Sequence, residues 1–106
     1  MEKRWNGKGK EYYSNGKLKY EGEYLNGKRN GKVKEYYPND HLKFEEEYLK
    51  GERHGKGKEY NYKGQLVFEG EYLYDFRIKG KFYVNEKLEY EGDYLYNNLL
   101  LELYFH

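Results

Sequence analysis

The feature that most constrains this chain is a repeat. "YEGEYLNGKRNGKVKEYY" begins at Tyr20, "FEEEYLKGERHGKGKEYN" at Phe44, "FEGEYLYDFRIKGKFYV" at Phe68 and "YEGDYLYNN" at Tyr90. The starts lie 24, 24 and 22 residues apart. "GKGKEYYSNGKLK", residues 7–19, reads as the tail of the same unit without its head, and residues 99–106 follow the last copy. Each unit is too small to bury its apolar side alone, so neighbouring units must stack and cover one another. The 106 residues therefore predict one domain built as a row of units.

Within a unit the periodicity is two. In "KLKYEGEYL", residues 17–25, Leu18, Tyr20, Gly22 and Tyr24 share one side; Lys17, Lys19, Glu21 and Glu23 share the other. That alternation marks a half-buried strand. A second, shorter strand is predicted at "GKVKEYY", residues 31–37. Turn signals separate the strands: "SNGK", "YPND" (which holds the single proline) and "YKGQ". Asn15-Gly16 suits a type I′ hairpin turn, whose two central residues both need positive φ. No helical stripe survives this many glycines. The fold class expected is all-β, an elongated antiparallel meander of hairpins. Eight strands at about 4.8 Å spacing give a rod about 40 Å long.

A core for such a meander must come from rings. Charged residues make up 37% of the chain, a level that by itself favours disorder, but there are 16 Tyr, 5 Phe and 1 Trp. Tyrosine carries a large apolar ring and one polar atom, so it builds a core in a polar sequence. The glycines between two rings, Gly22, Gly70 and Gly92, leave bare backbone on which a ring from a neighbouring strand can lie. The second unit has Glu46 there, which predicts a local defect: Glu46 displaces the neighbouring ring or points into a groove. Trp5 falls at an Arg position in repeat register, where it is expected to cap the first hairpin.

The pattern aromatic-x-Gly-x-aromatic-x-x-Gly-x-x-x-Gly resembles the MORN repeat. Tyr20, Gly22, Tyr24, Gly27 and Gly31 match in register. So do Phe44, Tyr48, Gly51, Gly55 and Gly57, with Glu46 departing. Phe68, Gly70 and Tyr72 match in the third copy, where Asp75 replaces a turn glycine; Tyr90, Gly92 and Tyr94 match in the fourth, where Asn97 does. The resemblance implies a gutter-shaped meander lined with aromatics and a role in organising membrane-proximal or cytoskeletal assemblies.

The function expected is therefore a non-catalytic scaffold that binds a protein segment in an aromatic groove lined by Tyr20, Tyr24, Phe44, Tyr48, Phe68, Tyr72, Tyr90 and Tyr94. A rival reading places anionic phospholipid against a basic edge formed by Lys28, Arg29, Lys32, Lys50, Arg53, Lys56, Arg77 and Lys79, near 1 kcal/mol per basic residue at a charged membrane. Against it stand the equally numerous carboxylates of the head strands, which pair with those bases across strands. "NGKLKYEGEY", residues 15–24, also resembles bacterial proteins that neutralise a toxin.

Other classes are disfavoured. A formal net charge of +1 is no footprint for nucleic acid. Without cysteine there is no disulfide framework. The histidines lack metal-ligand spacing, so no metal or cofactor is expected. "GKGK" is not a phosphate-binding loop. The paired carboxylates recur on solvent-facing positions and not in a cleft, which argues against catalysis. No signal segment is recognisable in "MEKRWNGKGK", and the setting expected is cytoplasmic, at a membrane or the cytoskeleton. The apolar ending "LLLELYF" predicts a short strand with Leu101 and Leu103 buried. It serves as a cap, as a homodimer contact through Leu99–Phe105, or as a surface for a following repeat.

Overall fold

Period-two alternation produces strands where the sequence places them. The structure, a computed structural model, describes residues 5–95 and the backbone of residues 98–99. Eight strands follow one another: β1 (Gly7–Tyr12), β2 (Leu18–Leu25), β3 (Lys28–Tyr36), β4 (Leu42–Leu49), β5 (Glu52–Tyr60), β6 (Leu66–Leu73), β7 (Phe76–Val84) and β8 (Lys87–Leu95). A two-residue β9 (Asn98–Leu99) pairs with the end of β8. Every strand is antiparallel to the next and hydrogen-bonded to it, in chain order. No helix occurs among the described residues. The extents are 57 × 30 × 17 Å, a rod one sheet thick; the strand stack accounts for about 40 Å of the length. The expected burial of Leu101 and Leu103, and the homodimer contact through Leu99–Phe105, concern side chains outside those described.

The two edges of the rod use different turns. Along one edge run two-residue loops: Asn26-Gly27, Lys50-Gly51 and Tyr74-Asp75, each with positive φ at both positions. These are the type I′ turns, whose twist matches the twist of the strands. Asp75 keeps the conformation without glycine, at φ 69°, and its carboxylate accepts from the Arg53 amide at 2.7 Å. The Asn15-Gly16 expectation fails on type. The Gly16 amide donates to the Tyr13 carbonyl at 2.9 Å, Gly16 has positive φ and Asn15 does not. The loop is a longer one in which Asn15 Oδ1 instead accepts from the Lys17 amide at 3.0 Å.

Hydrogen bonds between turns lock one unit to the next. The Gly27 amide donates to the Trp5 carbonyl at 2.9 Å, Gly51 to Arg29 at 2.9 Å and Asp75 to Arg53 at 3.1 Å. Trp5 therefore occupies the register of Arg29 and Arg53, as its sequence position requires. The shortened third interval also has a structural meaning. Between Gly22–Val33 and Tyr24–Arg29 the tail strand carries two extra residues, and the same holds between Glu46–Gly57 and Tyr48–Arg53. Between Gly70–Gly80 and Tyr72–Arg77 it carries one. The second residue is lost at the following turn, where Asn85-Glu86 makes a two-residue loop. The deletions fall where the ladder is already irregular, so the ring register is preserved.

The glycines between rings do bring backbone and ring together, but the ring comes from the same strand. A side chain at Gly22 would meet the Tyr20 hydroxyl, one at Gly70 the Phe68 ring, and one at Gly92 the Tyr90 hydroxyl. Each ring leans forward along its strand over the glycine two residues on. The Tyr20 and Tyr90 hydroxyls end on the carbonyls of Glu23 (3.2 Å) and Asp93 (2.6 Å). A ring of an adjacent strand approaches a glycine at Gly9, under Tyr24, at Gly57, under Tyr72, and at Gly80, which the Phe68 ring also meets. At Gly70 the approach is closest. A Cβ there would fall on the Lys79 carbonyl and within 2.7 Å of Gly80 Cα, which are backbone atoms that cannot step aside. At Gly92 it would meet the movable end of Tyr90. Gly70→Ala is therefore expected to cost about 1–3 kcal/mol by overpacking, and Gly92→Ala distinctly less. Denaturant unfolding of both variants checks this; equal losses would refute the close-approach reading.

Candidate binding surface

Strand parity sorts the candidate residues onto two faces. The eight predicted rings share one face, and on it they pack against one another. Tyr20, Tyr48, Phe68, Tyr72 and Tyr94 are buried, while Tyr24, Phe44 and Tyr90 are half-buried. Successive rings meet edge to face, with Tyr20–Tyr24 centroids at 5.5 Å, Phe68–Tyr72 at 5.6 Å and Phe68–Tyr94 at 5.3 Å.

One arginine per unit closes this face. Arg29 lies 4.0 Å from the Tyr20 centroid and 5.8 Å from Tyr48; Arg53 stands 4.1 Å from Phe44 and 5.8 Å from Tyr72. Arg77 is 4.6 Å from Phe68 and 5.8 Å from Tyr94. Each cation thus bridges a ring of its own unit and one of the next. A tail-strand glutamate anchors the first and third. Glu11 takes Arg29 at 3.2 Å and the Tyr24 hydroxyl; Glu59 takes Arg77 at 2.8 Å and the Tyr72 hydroxyl. Burial acts to raise the Glu59 pKa, but the hydrogen bonds from Arg77 and Tyr72 outweigh it and leave the carboxyl below its ordinary range. In the fourth unit Phe82 pairs with Tyr90 as Glu59 pairs with Phe68. The Tyr94 hydroxyl, which has no such carboxylate, is buried without a hydrogen-bond partner among the described residues.

The defect expected at Glu46 is present on this face. The Glu46 side chain is fully buried, its Oε2 3.1 Å from Arg53 Nε but out of hydrogen-bonding alignment. Its methylenes lie over Gly57. Phe44, which in the pattern should lean over residue 46, stays half-buried where Tyr20 and Phe68 are sealed. The ring core consequently divides into a Tyr20–Val33–Tyr48 cluster and a Phe68–Tyr72–Tyr94 cluster. Burial pushes the Glu46 carboxyl up to about 8; Arg53 draws it back, and the carboxylates of Glu59, Glu35 and Asp75 add to the rise.

The basic residues proposed as one edge do not lie together. Arg29, Arg53 and Arg77 turn onto the rings. Lys32, Lys56 and Lys79 project from the opposite face, and Lys28 and Lys50 belong to the turn edge. That opposite face carries the concavities. One, of about 840 Å³, runs across β1 to β5, and another, of about 740 Å³, across β4 to β8. They share Glu45 and Lys56, so they form one trough along the rod. The resemblance led to aromatics in the hollow; here the hollow is lined by charges, and its floor is the backbone of the row Gly9, Gly22, Val33 and Glu46.

The charges of the trough come in stripes. Tail strands contribute two lysines each, as in Lys32 and Lys34, and head strands two acids each, as in Glu45 and Glu47. Register places every lysine opposite an acid: Lys10 against Glu21, Lys34 against Glu45, Lys58 against Glu69, Lys79 against Asp93. Side chains close the gap to 3.9 Å at Lys34–Glu45, 3.5 Å at Lys58–Glu69 and 3.2 Å at Lys79–Glu71. Four lysine strands and four acid strands, two charges each, cancel. Sequence reasoning found the charges but missed the rims beside them. Leu25, Leu49, Leu73 and Leu95 recur at the I′ turn edge, all exposed. Tyr12, Tyr36, Tyr60 and Tyr83 recur at the other; the Tyr36 hydroxyl donates to Glu21 at 2.8 Å. The signal was available: each row recurs in the repeat register.

These features define a class, the single-sheet repeat meander whose units are locked turn to turn. The family model of the MORN repeat variant matches residues 5–26 and 29–50, which supports a MORN-repeat protein. The matched segments begin at Trp5 and Arg29, the residues the turn hydrogen bonds place in common register, and so phase the unit tail strand first rather than from Tyr20 and Phe44. The MORN repeat is a binding module. No curated protein matches this chain. Among the described residues no helix is long and apolar enough to cross a membrane, and no group of three His, Cys, Asp or Glu side chains could hold a metal ion.

The buried carboxyl predicts an unusual pH profile. Glu46 is protonated more readily in the folded chain than in the unfolded one, so its stabilising contribution is complete below about 4.5 and is lost as pH rises through about 8. Glu11 and Glu59, whose pKa values are lowered, act the other way, below the ordinary carboxylate range. Stability should peak near pH 5 and fall by pH 8, and Glu46→Gln should flatten that fall. Thermal melts from pH 4 to 9 measure it, and an unchanged slope in the variant would refute the assignment.

Proposed function

We propose that this chain is a non-catalytic docking scaffold whose charged trough receives a segment of a partner protein. The observation that carries the reading is the division of labour between faces. The rings and arginines are spent on the fold. The trough is concave, runs the length of the rod, and carries polar groups flanked by apolar rims. A surface with both kinds of group in a hollow suits a protein segment.

The phospholipid reading has less support. Three of its eight basic residues cover rings, and the trough lysines face an equal number of acids, which cancels the long-range attraction an anionic bilayer supplies. Catalysis has less still: Glu46, the carboxyl most displaced from ordinary behaviour, is sealed beneath the ring face.

The test uses the whole chain. Lys34 and Lys58 are half-exposed in the trough, so Lys34→Glu with Lys58→Glu reverses one charge in each of two stripes and cancels their positive charge while leaving the ring face intact. In affinity capture from a lysate of the source cells, the wild-type chain is expected to retain a partner that the variant loses. Neither form is expected to pellet with vesicles containing acidic lipid. Pelleting that requires acidic lipid, or capture indifferent to the reversal, would overturn the proposal.

A further inference from the structure

The outer edge of β1 keeps a shape that the chain uses further along the rod. Each inner tail strand lies between two head strands: β3 between β2 and β4, β5 between β4 and β6, β7 between β6 and β8. Among the described residues β1 pairs with β2 alone. Antiparallel pairing turns the amide and carbonyl of every second residue away from the partner, so half of the β1 backbone groups point outward. The inner strands show what belongs on that side. Gly31 in β3 and Gly55 in β5 have φ of 83° and 84°, and each stands in the bulge that faces the head strand before it. A Cβ at Gly31 would fall on the Glu23 carboxylate, and one at Gly55 on that of Glu47. These two glycines are cradles for the second acid of a head strand. Gly7 is their equivalent, opposite Tyr24 as Gly31 is opposite Tyr48 and Gly55 opposite Tyr72. It also has positive φ, 112°, which glycine tolerates, and no described atom lies within 4 Å of the point where a Cβ would stand. The residues around Gly7 match the template too. Lys34 faces Glu21 on one side and Glu45 on the other, whereas Lys10 faces Glu21 alone among the described residues. Arg29 and Arg53 lie 4.0 Å and 4.1 Å from Tyr20 and Phe44, rings of the head strand before them; Trp5, in their register, is 57% exposed.

We propose that the outer edge of β1 is a second docking site, which takes one extended acidic strand of a partner protein in the pattern aromatic, acid, small residue, acid, aromatic. In the register of β2 on β3, the first ring of that strand stands opposite Glu11 and its first acid opposite Lys10. The small residue faces Gly9, the second acid enters the Gly7 cradle, and the second ring meets Trp5. Main-chain hydrogen bonds provide the affinity, and the alternating side chains select the strand. A second copy of this chain does not fit. Pairing β1 with β1, antiparallel about Gly9, sets Lys8 against Lys10, and like charges directly opposite are destabilising. The described head strands are engaged as well: β2, β4 and β6 on both edges, β8 by β7 and, at Tyr94 and Leu95, by β9. The lysines of β1 therefore reject its own kind and admit an acidic strand. This site is read through the backbone of an edge and does not rest on the trough as a docking face.

Trp5 is the single tryptophan of the chain, so its emission reports on this edge. Three synthetic peptides test the proposal. The first has the sequence of residues 17–25, "KLKYEGEYL", which contains the β2 pattern. The second carries Lys in place of both Glu. The third is methylated on its three central amide nitrogens, which removes donors to β1. Titrated into the full chain, the first peptide is expected to move Trp5 emission to shorter wavelength and to bind at least tenfold more tightly than the other two. Hydrogen exchange should slow at the outward-facing amides of β1 and stay unchanged in β3 to β7. Lys8→Gln with Lys10→Gln should lower the affinity at least tenfold with the melting temperature nearly unchanged, since both side chains are exposed. Equal binding of the three peptides, no binding of the first, or an affinity indifferent to the lysine changes overturns the proposal. So does finding the outward amides of β1 protected in the chain alone, since the edge is then already covered. Self-association of the chain through β1, seen by sedimentation, also overturns it, because the occupant is then a second copy. None of these results alters the capture expected through Lys34 and Lys58, so the two docking sites stand or fall separately.

Discussion

A sheet one layer thick has no second layer on which to bury its apolar face. In this protein that problem is met by a guanidinium placed over rings. Arg29, Arg53 and Arg77 each lie within about 5 Å of a ring of their own unit and within 6 Å of one in the next. A planar, weakly hydrated cation can lie on an aromatic face and still hydrogen-bond at its rim, which a lysine ammonium does poorly. Glu11 and Glu59 supply that rim for the first and third arginines. The cation thereby acts as the missing layer. It excludes water from Tyr20 and Phe68, the two rings buried outright among the described residues, and ties consecutive units together. The turn-to-turn hydrogen bonds from the carbonyls of Trp5, Arg29 and Arg53 fix the same connection at the edge of the sheet. Lateral packing and backbone register are thus set by the same residues in each unit.

Glu46 shows what happens when one unit departs from the arrangement. In the first and third units a glycine lets a ring lean forward and seal the strand; at Glu46 a carboxyl fills that space. Arg53 is drawn to it and Phe44 is left half-buried, with a ring cluster on either side. Removing water from a carboxyl without providing aligned hydrogen bonds is costly, and protonation reduces the cost. The middle of the rod is therefore the place where the stack should be least cooperative. Repeat stability is a sum of units and the interfaces between them. A weak interface there allows one end to open while the other stays folded.

What was legible in the sequence was whatever repeats along it. The strands, the shared face of the eight rings, the register of Trp5 and the anomaly at Glu46 all followed from parity and a 24-residue period. What was not legible depended on distances across the sheet. Arg29, Arg53 and Arg77 were grouped with Lys32, Lys56 and Lys79 because they are close in the chain and alike in charge. Arg29 and Lys32, like Arg53 and Lys56, stand three positions apart, so alternation alone parts them; Arg77 and Lys79 stand two apart, and there the one-residue bulge at Ile78 carries them to opposite faces. Asn15-Gly16 was misjudged for a similar reason. The dipeptide suits a type I′ turn, but strand pairing at Tyr12–Leu18 imposes a longer loop, and the I′ geometry falls instead at Asn26-Gly27. Curvature was the other unread quantity. Alternation says which residues share a face and nothing about which face is hollow.

That last distinction bears on function. A ring row read from sequence looks like a docking surface, because aromatic side chains dominate interfaces as well as cores. In a single-layer fold the two roles compete for the same rings. Five of the eight rings are buried within the chain itself, so little of their area is left for a partner. Binding must then fall to residues that the fold does not consume, and these are the ones that stacking repeats without using: the leucines at one rim, the tyrosines at the other, the charges between. A substitution on the ring face should disturb folding first and binding only through it, whereas one in the trough can change binding with the sheet intact. Evolution of partner choice on such a scaffold is accordingly free to proceed on one face while the other stays fixed by packing.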